Sequence, residues 1–234
     1  MRTEPGWASI CLVLLLAGLL AGYAAWHWFM PSGAWQYRLS LEVDTPEGVK
    51  SGSSVNEVTE TWTGLVPLPG RPSSSRFRGE AVAVDLGARG TLFAILRGES
   101  DVDYAKNIVF EAFPWRVRPG GEHTPEGIAF YRRLRGKVEL STDKLPMLVR
   151  FQDIRDARTV EQVDPNDLAA SFGPGVKLTR AIIEVAPAGT WFVESRIKRN
   201  LPNFGAGSGF AEWLRRLPYG SPLRIGPEDF SRVS

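Results

Sequence analysis

Cysteine is almost absent from this chain. The one residue, Cys11, lies inside an apolar run, so no internal disulfide and no cysteine-based metal site can form. Histidine is nearly as scarce. His27 and His123 are the whole supply, too few ligands for a histidine-held metal centre. A dominant charge is missing as well: 28 Lys and Arg stand against 26 Asp and Glu, a net charge of +2. No global field calls for nucleic acid. Phosphate-cradling glycine loops do not occur. The GAGSG stretch at 205–209 lacks both the Walker lysine and the dinucleotide spacing, and no Gly-x-Ser-x-Gly elbow is found. These absences predict no cofactor and no metal.

Apolar bulk is plentiful. Hydrophobic residues make up 43% and charged residues 23%, with 8 Trp and 12 Phe, the composition of a folded body. No formal charge occurs between Glu4 and Arg38. An uncharged helix of about 20 residues matches a hydrocarbon core of about 30 Å. Trp7 at one end of the run and Tyr23, Trp26, Trp28 and Phe29 at the other resemble interfacial belts. The expectation is a stub at 1–7, a transmembrane helix at 8–30 spanning from Ala8 to Trp28, and an extracytoplasmic domain at 31–234. A competing reading is a signal peptide cut after the small residues at 21–25. With Arg favoured over Lys, the chain reads as bacterial. It is then expected in the inner membrane as a single-pass protein with a periplasmic body and the lipid bilayer as a partner.

The body opens with WQYRLSLEVDT at 35–45, where Tyr37, Leu39, Leu41 and Val43 alternate with polar residues, a half-buried strand. A turn is expected at 46–52 and a returning strand at 53–62. The Pro/Gly/Ser stretch at 65–75 reads as a loop. The apolar runs at 80–86 and 91–97 are expected at the sheet centre, covered on both faces. Helices are expected at 101–113; at 124–136, with Thr124 as cap, Pro125 in first position and Gly136 as stop; and at 164–175, with Asp164 as cap. Strands are expected at 137–141, 145–153 and 175–186. A last helix at 210–217 places Phe210, Trp213, Leu214 and Leu217 on one stripe, a core face or an interaction surface. Strands first, then strands mixed with helices, predict an α+β fold with a largely antiparallel sheet.

Three groups are candidates for chemistry. His123, in a glycine-rich loop before a helix start, is the soluble candidate for a general base. Asp153 and Asp156 belong to an acidic cluster able to supply paired carboxylates, although Arg155 and Arg158 interleave with them and offer a structural explanation. Basic clusters at Arg132, Arg133, Arg135 and Lys137, at Arg196, Lys198 and Arg199, and at Arg215 and Arg216 read as solvated faces or as contacts to anionic headgroups.

The stretches TPEGVKSGSSVNEV at 45–58 and LVRFQDIRDARTVEQVDPNDLAASFGPGVKL at 148–178 resemble a group of bacterial proteins. That group shares an N-terminal hydrophobic segment, a Thr-Pro-x-Gly…Gly-Ser-Ser-Val stretch and a Val-Asp-Pro…Phe-Gly-x-Gly-Val stretch. The group's Leu-Pro-Trp-Leu segment is replaced here by Leu201, Pro202, Asn203 and Phe204. The resemblance implies no activity and no site residue. The leading functional expectation is therefore a non-enzymatic, membrane-anchored envelope protein that binds or scaffolds, with another envelope protein as a possible partner. The alternatives are a tethered hydrolase using Asp153, Asp156 or His123, and a carrier of a lipid or small apolar ligand.

Overall fold

Strict alternation along one strand organises the larger of two sheets. The computed structural model describes residues 7–29, 31–63, 73–115, 121–192, 197, 204 and 209–232, with side chains in the first helix described at Trp7 and 9–22. Strand β1 (Ser32–Thr45) buries Trp35, Tyr37, Leu39, Leu41 and Val43 on one face. It sits at the centre of an antiparallel sheet of order β3-β2-β1-β9-β6, with β2 at Gly48–Trp62, β3 at Ser73–Arg78, β6 at Gly136–Glu139 and β9 at Lys177–Pro187. The β1–β2 register runs unbroken from Ser32 opposite Thr61 to Thr45 opposite Gly48. The turn is thus two residues long, not the seven expected. Gly48, at φ 114°, lets the chain reverse this tightly, in a conformation that side chains rarely adopt.

The smaller sheet has the order β4-β5-β7-β8, with β4 at Val82–Asp85, β5 at Thr91–Ala94, β7 at Leu148–Phe151 and β8 at Val160–Gln162. Its alternation divides two cores. Leu92 and Ala94 of β5, with Leu148 of β7, face the larger sheet, where Tyr37, Leu41 and Ile183 meet them in one cluster. Phe93 and Val149 face the opposite way, into a cluster with Phe151, Phe210, Ile225 and Phe230. The continuous apolar run at 91–97 has this origin, since both its faces are covered. The run at 80–86 is covered too, yet β4 lies at the sheet edge and not at the centre, because it pairs with β5 alone.

Helices α2 (Tyr104–Ala112) and α3 (Pro125–Tyr131) close one side of the first core. Tyr37 donates to Ala105 O at 2.8 Å, tying β1 to α2. Thr124 caps α3 as expected, accepting from the Gly127 amide. The helix ends at Tyr131, short of Gly136. That glycine instead opens β6, where a Cβ would come within 2.5 Å of the Phe113 ring. Helix α4 (Leu168–Phe172) is capped by Asp167 rather than Asp164, whose carboxylate accepts from the Asn166 amide instead. Helix α5 (Phe210–Arg216) packs on the second core.

One expectation is corrected. A helix does form at the start of the chain, α1 at Trp7–Phe29. Among the described residues, however, no helix is long and apolar enough to cross a membrane, and the transmembrane assignment falls. The side chains of Ala8 and Trp28, the expected span ends, lie outside the described residues, as does that of His27.

The two sheets approach closely at Gly52, where a Cβ would lie 2.1 Å from Ala83 O of β4. Gly52→Ala is expected to lower stability by about 1–3 kcal/mol, as overpacking does. Urea unfolding measures it, and an unchanged midpoint would show that β4 does not cross at this position.

Candidate functional site

The inward face of β2 carries a residue that no apolar core tolerates alone. Glu60 follows Val58 by two positions and so points into the core, where its side chain is fully shut from water. Three groups answer the carboxylate. Ser75, directly opposite on β3, and Ser73, two residues away, donate their hydroxyls to Glu60 Oε2 and Oε1. His123, from the 3-10 turn at Gly121–His123 before α3, places Nδ1 2.8 Å from Glu60 Oε1. The imidazole also packs edge-on against Phe110 at 5.2 Å, inside an aromatic group with Trp35 and Tyr131. Burial works to raise the Glu60 pKa, but the bonds from His123, Ser73 and Ser75 together outweigh it and hold the value below the ordinary one. The bond to Glu60 raises that of His123. The expected general base is thus half of a buried ion pair that pins the start of α3 to the large sheet.

The carboxylate candidates lie elsewhere, on the β7–β8 connection. Asp153 accepts from the amide and Nε of Arg155, at 2.9 and 3.2 Å. Asp156 receives a two-pronged grip from Arg158, Nε at 2.8 Å and Nη2 at 2.7 Å. The backbone amide of Arg155 leads in lowering the Asp153 pKa, and the Arg158 side chain lowers that of Asp156 to about 2. Both groups stay ionised at neutral pH, opposite to what a proton donor needs. Among the described residues, no hydrogen bond or ion pair joins either to His123. On α5, Phe210 is buried against Phe204 and Trp213, while Trp213, Leu214 and Leu217 are half-buried. Arg132, Arg133, Arg135 and Lys137 are exposed, as are Arg215 and Arg216. Arg196, Lys198, Arg199 and 201–203 lie outside the described residues.

The outward face of the large sheet holds a constellation that sequence reading passed over. Gln36, Arg38 and Ser40 of β1 stand opposite Glu57, Val55 and Ser53 of β2. Gln36 donates to its cross-strand partner Glu57 at 2.9 Å, and its Oε1 accepts the Trp191 amide at 2.8 Å. That bond draws the segment after β9 back over the sheet and lays the Trp191 ring on the Arg38 guanidinium, 4.5 Å from Cζ to ring centroid. Beneath lies a cleft of about 580 Å³, lined by Arg38, Ser40, Ser53, Val55, Glu80 and Trp191 among others. Among the described residues no carboxylate pairs with Arg38, and the Ser40 and Ser53 hydroxyls have no hydrogen-bond partner. The volume falls in the range of ~300–1,000 Å³ typical of small-molecule sites. A second concavity of about 570 Å³ opens between α5 and the 3-10 turn at Pro227–Asp229, over Phe210, Leu214 and Ile225.

Two signals were present for the missed residues. Period two, continued from Val58, places Glu60 inside, and the same period places Arg38 outside. For Trp191 no local signal exists, because the contact joins positions far apart in sequence.

Removing His123 leaves a buried carboxylate with two hydroxyls for company. His123→Ala is expected to cost about 2–3 kcal/mol, less than the 3–5 kcal/mol of a fully enclosed pair because a third of the imidazole meets water. The pH dependence has two limbs. His123, with its raised value, contributes fully below 6.5 and loses its contribution as pH climbs through its folded pKa. Glu60, with its lowered value, contributes fully above 4.5 and loses its contribution as pH drops through its folded pKa. The difference in unfolding free energy between wild type and variant should therefore be greatest between pH 4.5 and 6.5. A difference that is flat across pH 4–8 would mean that the pair is not ionised in the folded protein.

No protein-family model, curated protein or solved structure matches the chain.

Proposed function

We propose that the protein is a non-enzymatic binding domain whose ligand occupies the cleft beneath Trp191. One observation carries this reading: Arg38 lies in a preformed concavity, fixed by Trp191 and with no carboxylate partner among the described residues. Held in this way, a guanidinium offers several N–H donors in a rigid plane, and little ordering remains to oppose binding. The groups that a hydrolase would need have other engagements. His123 is fastened to Glu60, while Asp153 and Asp156 are gripped by their own arginines.

Carriage of a small apolar ligand is a second reading, favoured by the concavity beside α5. It is the weaker of the two, since the Phe210 ring already fills the apolar floor of that space from within the second core.

Thermal-shift measurements on the full chain separate the readings. The ligand panel comprises sodium phosphate, succinate, hexasaccharides, nucleosides and laurate. A ligand present at about 100 times its Kd stabilises by about 2.7 kcal/mol. At least one polar ligand is expected to raise the Tm of the wild type and not that of Arg38→Ala. A shift with laurate alone, equal in both proteins, would favour the apolar carrier. Turnover of an ester or glycoside substrate that disappears in His123→Gln would contradict the non-enzymatic reading.

A further inference from the structure

We infer that the cleft beneath Trp191 takes a saccharide, an inference that rests on the binding reading above. The first ground is the mixture of polar groups. A site built for an anion gathers donors of one sign, as arginines and backbone amides do around phosphate. Here the Arg38 guanidinium shares the wall with the Glu80 carboxylate, whose Oε2 accepts from the Ile197 amide at 3.2 Å. A second negative charge entering the cleft would meet that carboxylate. A polyol does not suffer this conflict, because each hydroxyl both donates and accepts.

The second ground is the row of short hydroxyls. Ser40 and Ser53 face each other across β1 and β2, one step along from Arg38. With no partner among the described residues, each can donate to or accept from a ring hydroxyl. Serine rotors at fixed strand positions suit a ligand whose hydroxyls also recur at fixed spacing.

The third ground is aromatic. Trp191 closes the cleft and Phe192 beside it is 90% exposed, an unusual placement for a large apolar ring. The C–H face of a pyranose is flat, apolar and slightly positive, so it settles on the negative face of an aromatic ring. A polar floor and an aromatic lip together match the two chemically distinct sides of a sugar ring.

Isothermal titration of the full chain tests this, with cellohexaose, chitohexaose and maltohexaose as saccharide probes and sodium phosphate and succinate as anion probes. At least one hexasaccharide is expected to bind. Trp191→Ala should weaken it about tenfold, the loss that follows a removed stacking ring, whereas Trp191→Phe should keep affinity within about threefold. The double variant Ser40→Ala/Ser53→Ala should weaken it severalfold with an unchanged melting temperature. Binding of phosphate or succinate that depends on Arg38, with no hexasaccharide binding, would overturn the saccharide inference and leave the binding reading standing. A hexasaccharide that binds Trp191→Ala as tightly as wild type would also overturn it. Silence from every probe would remove both.

Discussion

The two-residue period of β1 is the constraint on which the rest of this structure depends. From Trp35 to Val43 every second side chain is apolar and buried, and the intervening Gln36, Arg38, Ser40 and Glu42 are polar and lie on the other face. A slip of one residue would exchange the two sets completely. Tyr37 would lose its bond to α2, and Arg38 would be driven into the core. The β1–β2 register, closed by a two-residue turn at one end, fixes this choice over the whole length of both strands. One alternation thus builds the inner core and positions the groups of the outer cleft.

The inner face tolerates polarity only where it is answered. Glu60 is the strongest case, a carboxylate held within the sheet by two serines and a histidine. Such an arrangement need not stabilise the fold more than an apolar residue would. What it adds is position: the turn before α3 has one place to dock, because only there does His123 meet its partner. The outer face follows the reverse logic. Ser40 and Ser53 keep hydroxyls without a hydrogen-bond partner among the described residues, and Trp191, brought over this face, is anchored by its backbone through Gln36.

Legibility in the sequence followed the range of the interactions. Local grammar was readable: Thr124 capping α3, alternation in β1, and a run at 91–97 apolar on both faces. The α+β class and the antiparallel pairing came from the same signals, whereas one sheet was expected and two formed. Other features were harder to see. The seven-residue turn was shortened by a glycine at positive φ, and Gly136 was read as a helix stop when the Phe113 ring requires a glycine there. A 3-residue strand such as β8 has too little periodicity to register. Apolar composition alone suggests a membrane span, and among the described residues no helix is long and apolar enough to make one. For the candidate site, His123 was visible as a rare residue but its partner was not. Nothing near Glu60 in sequence shows a histidine arriving from 63 residues away. The cleft was not legible at all, since Arg38 and Trp191 meet only after β9 has paired with β1.

The central claim is that the outer face of β1 forms a preorganised cleft, with the Trp191 ring fixed on Arg38 before any ligand arrives. Proton NMR of the ligand-free protein tests it most directly. Ring-current fields should move the Arg38 side-chain protons well upfield, with nuclear Overhauser contacts from the Trp191 indole to the Arg38 methylenes. Arg38 resonances at random-coil positions, with no indole contact, would contradict the account.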